Sequence, residues 1–295
     1  MSNESKKIKE DIVESSLEGF LSKLQIIIVL YNMELSESDS FKSLIANNNI
    51  SNDLHLYIYD NSKELQNIDD YKSIDIHYQH DPLNSGISKA YNEGAKYAKQ
   101  KNRNWILILD QDTILPSNWA EVYYNSVLNN NEIKLFAPIL LLDNNKIFSP
   151  CKYKMKRGFH LDEIEEGIQS LKEVSPVNSG MLILIEEFFN VGGYNEKVKL
   201  DFSDFQFIER FRENNDFFYV LDLICYQDFS NDNPSMKSQL KRYEYYCEGA
   251  YFFDKETIYE RIQFLIIVFV RMLMLTFRYK TYKFGFIFIK NYLFK

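Results

Sequence analysis

The chain has 295 residues, a formal net charge of −8 and 45% hydrophobic residues, enough to bury a core in one large domain or two small ones. That content excludes intrinsic disorder, and ten Gly with six Pro exclude collagen-like and low-complexity architectures. Cys151, Cys225 and Cys247 are widely spaced, odd in number and without a CxxC, which indicates neither a disulfide framework nor a metal knuckle and makes a reducing cytoplasm the expected compartment.

Charge is unevenly placed. Residues 261–295 hold Arg261, Arg271, Arg278, Lys280, Lys283, Lys290 and Lys295 with no Asp or Glu, so with a total of −8 the body before them carries −15. An acidic body does not suit nucleic acid. The basic, Phe-rich tail suits a membrane surface, with a packing helix pair or a homo-oligomer contact as the alternatives.

Residues 1–24 place Ile8, Ile12, Val13, Leu17, Phe20, Leu21 and Leu24 at helical spacing, predicting an amphipathic helix, and the acids among them exclude a signal peptide. Apolar runs then recur at 25–31, 54–59, 74–78 and 105–109, with a helix-compatible segment at 85–100. Runs such as IIIVL and WILIL between helices predict a mostly parallel sheet covered on both faces, an α/β fold. Past Pro138 the pattern predicts an acidic helical stretch near 161–173, an apolar run at 181–185, a helix over 201–212 and an aromatic helical stretch over 236–260. In the tail the longest uncharged apolar run, 262–270, ends at Arg271, so no bilayer span is expected. Phe264, Leu265, Val268, Leu275 and Phe277 are available there to enter an interface.

In parallel sheets ligands bind at the carboxyl ends of the strands, so chemistry is sought just after each run. Asp110-Gln111-Asp112 ends the run at 105–109, and acids at i and i+2 can converge on Mg²⁺ or Mn²⁺ or else cap the helix near Pro116. Asp60-Asn61-Ser62 reads as a turn or as a carboxylate for a nucleobase N–H. Asn84-Ser85-Gly86 looks like a helix N-cap and hence an anion site, with Lys89 one turn in as added positive charge or as a surface lysine. Asn92 is buried-polar or ligand-facing. Asp201 and Asp204, three apart among Phe202, Phe205, Phe207 and Phe211, form either a general base of raised pKa or ion pairs with Arg210 or Arg212. The four histidines show no metal-ligand spacing, and neither GxGxxG nor a Walker A sequence occurs.

Taken in order, these pieces resemble the family 2 glycosyltransferases, most closely the bacterial rhamnosyltransferase-like branch, over about residues 25–230. The resemblance rests on Tyr31-Asn32, Asp60-Asn61-Ser62, the run Asn84-Ser85-Gly86-Ile87 through Asn92-Glu93-Gly94, Asp110-Gln111-Asp112, Asn178-Ser179-Gly180-Met181, Gly192-Gly193-Tyr194, and Asp204 with Arg210. It implies a GT-A fold, a nucleotide-sugar donor, a divalent metal (Mg²⁺ or Mn²⁺) and an inverting transfer. By the same analogy Tyr31, Asn32, Asp60, Asn84, Gly86, Lys89, Asn92, Asp110 and Gln111 would bind the donor, Asp110 and Asp112 the metal, and Asp204, with Asp201 as substitute, would be the base. Two positions depart from the family: Ser203 stands where an acid is frequent, and Gln227-Asp228 lie near the place of a histidine.

The expected organisation is a helix at 1–24, a GT-A domain at 25–235 with a nucleotide-binding half (25–115) and an acceptor half (116–235), and a helical basic extension at 236–295. The expected acceptor is a saccharide, in particular a lipid-linked one used in surface polysaccharide synthesis. The expected location is cytoplasmic, peripheral on the inner face of the cell membrane through 261–295. A catalytically inactive nucleotide-sugar-binding or scaffold protein of the same fold is the alternative.

Overall fold

The computed structural model describes residues 16–46, 50–71, 73–142, 145–227 and 235–295. Of the helix expected at 1–24, residues 1–15 lie outside the described residues. The remainder forms α1 (Leu17–Ser22), capped by Ser16 Oγ accepting from Gly19 N, and Leu24 already belongs to β1 (Leu24–Leu30). Phe20 packs on Tyr124 of α4 (Trp119–Asn129), ring centroids 6.0 Å apart, which supplies the partner for α1.

A parallel core runs β3 (Asp75–His80), β2 (His55–Asp60), β1, β4 (Trp105–Asp110). Because strand side chains alternate, Ile26, Ile28 and Leu30 join one apolar layer with Phe41 and Leu44 of α2 (Asp39–Ile45), while Ile27 and Val29 join the other with Ala90, Tyr91 and Ala98 of α3 (Ile87–Gln100). Gly94 lets α3 approach closely: a Cβ there would fall 2.6 Å from Ile27 Cδ1. Burying both faces is why IIIVL carries no polar alternation.

Past β4 the sheet is mixed rather than parallel. Its order continues through β11 (Leu182–Leu184), antiparallel to β4, to β6 (Leu135–Leu142), β7 (Ile147–Lys154) and β10 (Val174–Ser175). β12 (Phe217–Gln227) lies parallel to β6, pairs with β9 (Gly167–Ser170) at its start and meets β5 (Thr113–Ile114) at its end, where Gln227 is opposite Thr113. The stretch 161–173 is therefore not helical: Phe217–Val220 recruits Gly167–Ser170 as a strand, and cross-strand pairing overrides the helix-favouring acids.

α5 (Ile185–Asn190) leads to α6 (Ser203–Phe211), which starts after Asp201, so Asp201 and Asp204 do not share a helix. The expected helix over 236–260 breaks in two, α7 (Met236–Phe252) and the start of α8 (Ile258–Tyr279), followed by α9 (Lys283–Phe288). α8 runs unbroken through Arg271. Its 22 residues include an 18-residue stretch of mean hydropathy 1.7, long and apolar enough by length and composition to cross a membrane, contrary to the sequence-based expectation. The Arg271 guanidinium lies 4.1 Å from the Tyr246 ring centroid, a cation–π contact that turns its charge toward α7. Phe264, Val268 and Leu275 are buried in the cluster α8 forms with Tyr243, Cys247 and Phe284, which leaves Leu265 and Phe277 of the expected interface set exposed.

One buried ion cluster ties the second half to the tail. Met155 and Lys156, both at positive φ, form the tip between β7 and β8 (Arg157–Leu161). Lys156 Nζ points inward, 2.7 Å from Glu209 Oε1 on α6, 2.7 Å from Glu260 Oε1 on α8 and 5.0 Å from the Phe253 ring centroid. Burial alone would raise the Glu260 carboxyl, but hydrogen bonds from Lys156 and Thr257 outweigh it and hold the group at about 2. Replacing Lys156 by Met would leave two acids facing each other without their cation, and we expect a stability loss of roughly 3 kcal/mol in urea denaturation at neutral pH.

Candidate active site

The carboxyl ends of β1, β2 and β4 open onto a cavity of about 390 Å³. Its lining includes Asp110, Gln111 and Asp112 at the end of β4, Tyr31 and Asn61 after β1 and β2, and Gln227 at the end of β12. A parallel β1–β4 pair brings these ends together, and the antiparallel β5–β12 pair delivers Gln227 from 115 residues further along the chain.

Asp110 is held from several directions. Ser179 Oγ accepts from the Asp110 N–H at 3.0 Å and lies 2.6 Å from Thr113 Oγ1, Tyr91 Oη donates to Asp110 Oδ1 at 2.9 Å, and Gln227 Nε2 donates to Asp110 Oδ2 at 3.3 Å. Burial raises the Asp110 carboxyl above the usual carboxylate range, and the Tyr91 and Gln227 hydrogen bonds oppose that rise. Gln227 Nε2 also donates to Asp112 Oδ1 at 3.1 Å, so one amide bridges both acids. Gln111 joins the loop to β1: its Oε1 accepts from Tyr31 N at 2.8 Å.

These residues fit a hard divalent ion. Gln227 Oε1 is buried and has no hydrogen-bond partner, although its amide faces two carboxylates. A half-turn of that amide exchanges its atoms and gives an orphaned acceptor a cation as partner. Among the described residues no three His, Cys, Asp or Glu cluster as a closed metal site, so Asp110 and Asp112 would hold the ion together with oxygens of a ligand, the usual arrangement for Mg²⁺ with phosphates. Asp228, the other residue near the family's histidine, lies outside the described residues.

Asp204 is in the first turn of α6, its Oδ1 accepting from Phe205 N at 2.8 Å. Burial pushes its carboxyl up to about 7, with the charges of Asp201 and Asp110 adding to the rise. Neither arginine relieves it. Arg210 binds Asp254, 2.5 Å between nitrogen and oxygen, and donates to the Gly193 carbonyl, while Arg212 is 3.9 Å from Glu209. Asp201 precedes the helix with Oδ2 buried and unpartnered.

The remaining sequence candidates divide. Asn84 (φ 49°) and Gly86 (φ 101°) line the cavity, but the N-cap of α3 is Gly86 and the Ile87 N–H donates to Lys199 O at 2.9 Å, so the first amide of the helix is occupied. A Cβ on Gly86 would lie 2.5 Å from that carbonyl. Asp60 is fully buried, accepting from Ser62 N, Gln66 and Tyr78, and these bonds outweigh burial to hold its carboxyl below the usual range. It shapes the loop beside the cavity rather than facing it. Asn32 bonds Ser62 Oγ through its N–H, in a separate cleft with Glu34 and Gln66. Asn92 is structural: it exchanges hydrogen bonds with Tyr194 N and O and fixes the Gly192-Gly193 turn to α3. Lys89 is half-buried on α3 and is not part of the cavity lining.

Sequence reasoning missed Ser179 as the support of Asp110, and it missed Lys199, Ser238, Lys241, Arg242 and Tyr245 in the cavity wall. The last four come from α7. Their spacing of i, i+3, i+4, i+7 was a readable helical face, although no local signal said what it faced.

A mixed α/β sheet with an acid-x-acid loop at the carboxyl end of its parallel core is of GT-A type. Residues 25–158 of the chain match the sequence model of Glycosyl transferase family 2. It is similar to the dTDP-rhamnosyl transferase RfbF of Shigella flexneri, 24% identical over 185 residues, covering 62% of this chain and 61% of that protein, less than two thirds of its length. Among solved structures it is similar to S. aureus TarS 1-349 in complex with UDP-GlcNAc (13% identity, 83% of this chain and 71% of that one, TM-score 0.49). It is likewise similar to the mannosyltransferase PcManGT from Pyrobaculum calidifontis in complex with GDP-Man and Mn2+ (9% identity, 84% and 69%, TM-score 0.49).

The raised Asp204 carboxyl has a stability consequence. An acid with a higher pKa folded than unfolded keeps its full contribution below the unfolded value and loses it as pH climbs toward about 7. Asp204→Asn removes that loss. Urea denaturation should find the variant matching the wild type near pH 4 and exceeding it by roughly 3 kcal/mol at pH 8.

Proposed function

We propose that the chain is an inverting glycosyltransferase that moves a sugar, rhamnose by analogy with the Shigella relative, from a nucleotide-sugar donor to a saccharide acceptor. The observation that carries this reading is Asp110 and Asp112 on the cavity together with Asp204, which is not part of the cavity lining but is near enough to feel the Asp110 charge and is pushed by burial to about 7. The donor diphosphate lies over the acid-x-acid loop, and Tyr31 and Asn61 contact the nucleoside side. Asp110 and Asp112 would hold Mg²⁺ or Mn²⁺, which would supply charge neutralisation for the departing diphosphate. Asp204 takes the proton from the acceptor hydroxyl as its oxygen attacks the anomeric carbon on the face opposite the leaving group. A single displacement inverts the configuration there. Tyr91, Ser179 and Gln227 keep the carboxylates in place, so little reorganisation is needed as charge moves onto the leaving phosphate.

The tail supports a membrane-bound, lipid-linked acceptor in surface polysaccharide synthesis. α8 presents Ile262, Ile266, Phe269, Met274 and Phe277 outward beside Arg278, Lys280 and Lys283, while its other side is packed on α7 and α9. A helix already packed along one side favours lying in the plane of the cytoplasmic face over crossing it.

Donor-dependent transfer with purified protein tests the enzymatic reading. Asp204→Asn should lower kcat about 10²- to 10⁴-fold, and wild-type kcat/KM should rise with pH and level off above about 7, since the base must be ionised. Tight nucleotide-sugar binding with no transfer under any donor would instead favour the inactive binding protein. For the tail, Met274→Glu with Phe277→Glu should cut co-sedimentation with anionic phosphatidylglycerol vesicles about tenfold; unchanged sedimentation would sink the membrane assignment.

A further inference from the structure

The cavity lining carries charges of both signs: Asp110 and Asp112 are in it, and so are Lys199, Lys241 and Arg242. Two of those cations belong to α7, well beyond the residues that match the family model. Ser238, Lys241, Arg242 and Tyr245 lie at i, i+3, i+4 and i+7, one face of the helix, and all four line the cavity. The opposite face, Tyr243, Tyr246, Cys247 and Ala250 at the same spacing, is buried against α8 and α9. α7 therefore has a fixed rotation, set by its apolar side, that turns two cations and a tyrosine toward the site.

Lys241 marks where this face meets the parallel core. Its Nζ lies 5.8 Å from the ring centroid of Tyr31 and 5.8 Å from that of Tyr245, and the Tyr31 backbone is bonded to Gln111 of the acid-x-acid loop. Adjacent cations between two aromatic rings, in one cavity with two carboxylates, suit a ligand with a planar ring and a compact double negative charge. Carboxylates alone would repel a diphosphate; cations in the same cavity cancel that repulsion and add charge-assisted hydrogen bonds.

We propose that Lys241 and Arg242 bind the diphosphate of the nucleotide donor, so that the C-terminal helical unit completes the donor site. This rests on the glycosyltransferase reading and adds residues to its donor site. Both side chains are exposed, so replacing them with Gln spares the core. The test is calorimetric titration of full-length wild type, K241Q, R242Q and the double variant with thymidine diphosphate, thymidine monophosphate and uridine diphosphate, with melting temperatures as the folding control. Each single variant is expected to weaken diphosphate binding about tenfold and the double variant about a hundredfold, with a smaller loss for the monophosphate and recovery to within threefold in K241R/R242K. Variants that melt like wild type and bind the diphosphate within twofold of it overturn the proposal while leaving the donor-site reading intact. Wild type that binds neither diphosphate overturns both.

Discussion

A carboxylate withdrawn from water at the end of a central parallel strand must be met by donors or by a cation, and the architecture around Asp110 answers that requirement. β4 is buried on both faces up to Leu109, and Asp110 at its end is half-buried on the cavity. Tyr91 reaches it from α3, Ser179 from the turn before β11, and Gln227 from the end of β12. Each of these elements belongs to a different part of the chain. Gln227 depends for its place on the end of β12, which pairs with Leu141 and Leu142 of β6 and with the two residues of β5.

Asp204 meets the same electrostatics with different partners. It receives one backbone hydrogen bond and the repulsion of Asp201 and Asp110, and the arginine six residues on is spent on Asp254. Where the Asp110 carboxylate is met by two side-chain donors, Tyr91 and Gln227, Asp204 has no side-chain donor among its recorded hydrogen bonds, and its proton affinity rises toward neutral pH. Two acids on one site with divergent environments are a means of assigning different work to the same functional group.

Much of this was legible in the sequence where physics is local. Buried runs announced β1, β2 and β4, and acids after the third run announced the site, because a doubly covered parallel strand has to be apolar and its end has to be polar. Reading failed where distant partners decided. Helix-favouring residues at 161–173 became strand because Phe217–Val220 lay alongside. Arg271 read as the end of an apolar helix and turned out to lie on Tyr246. Asn92 could have faced a ligand, and only the Gly192-Gly193 turn more than a hundred residues on determined that it does not. Nothing near Lys241 and Arg242 in sequence states which way α7 is rotated.

That rotation is where the two ends of the molecule's chemistry meet. α7 has two working faces: its apolar side is fixed by α8 and α9, whose outward residues are the exposed apolar surface, and its polar side lines the donor cavity. Gly249 brings this helix so close to the Asp201 carbonyl that a Cβ would come within 2.6 Å, and Lys156 joins α8 to α6, the helix of Asp204. α8 is thus connected through packing to the cavity by α7 and to the helix of Asp204 by Lys156. If the tail only anchored the protein, as in the proposed membrane reading, a flexible tether would have been enough; the buried ion cluster and the glycine contact instead fix α8 and α7 against α6 and the cavity.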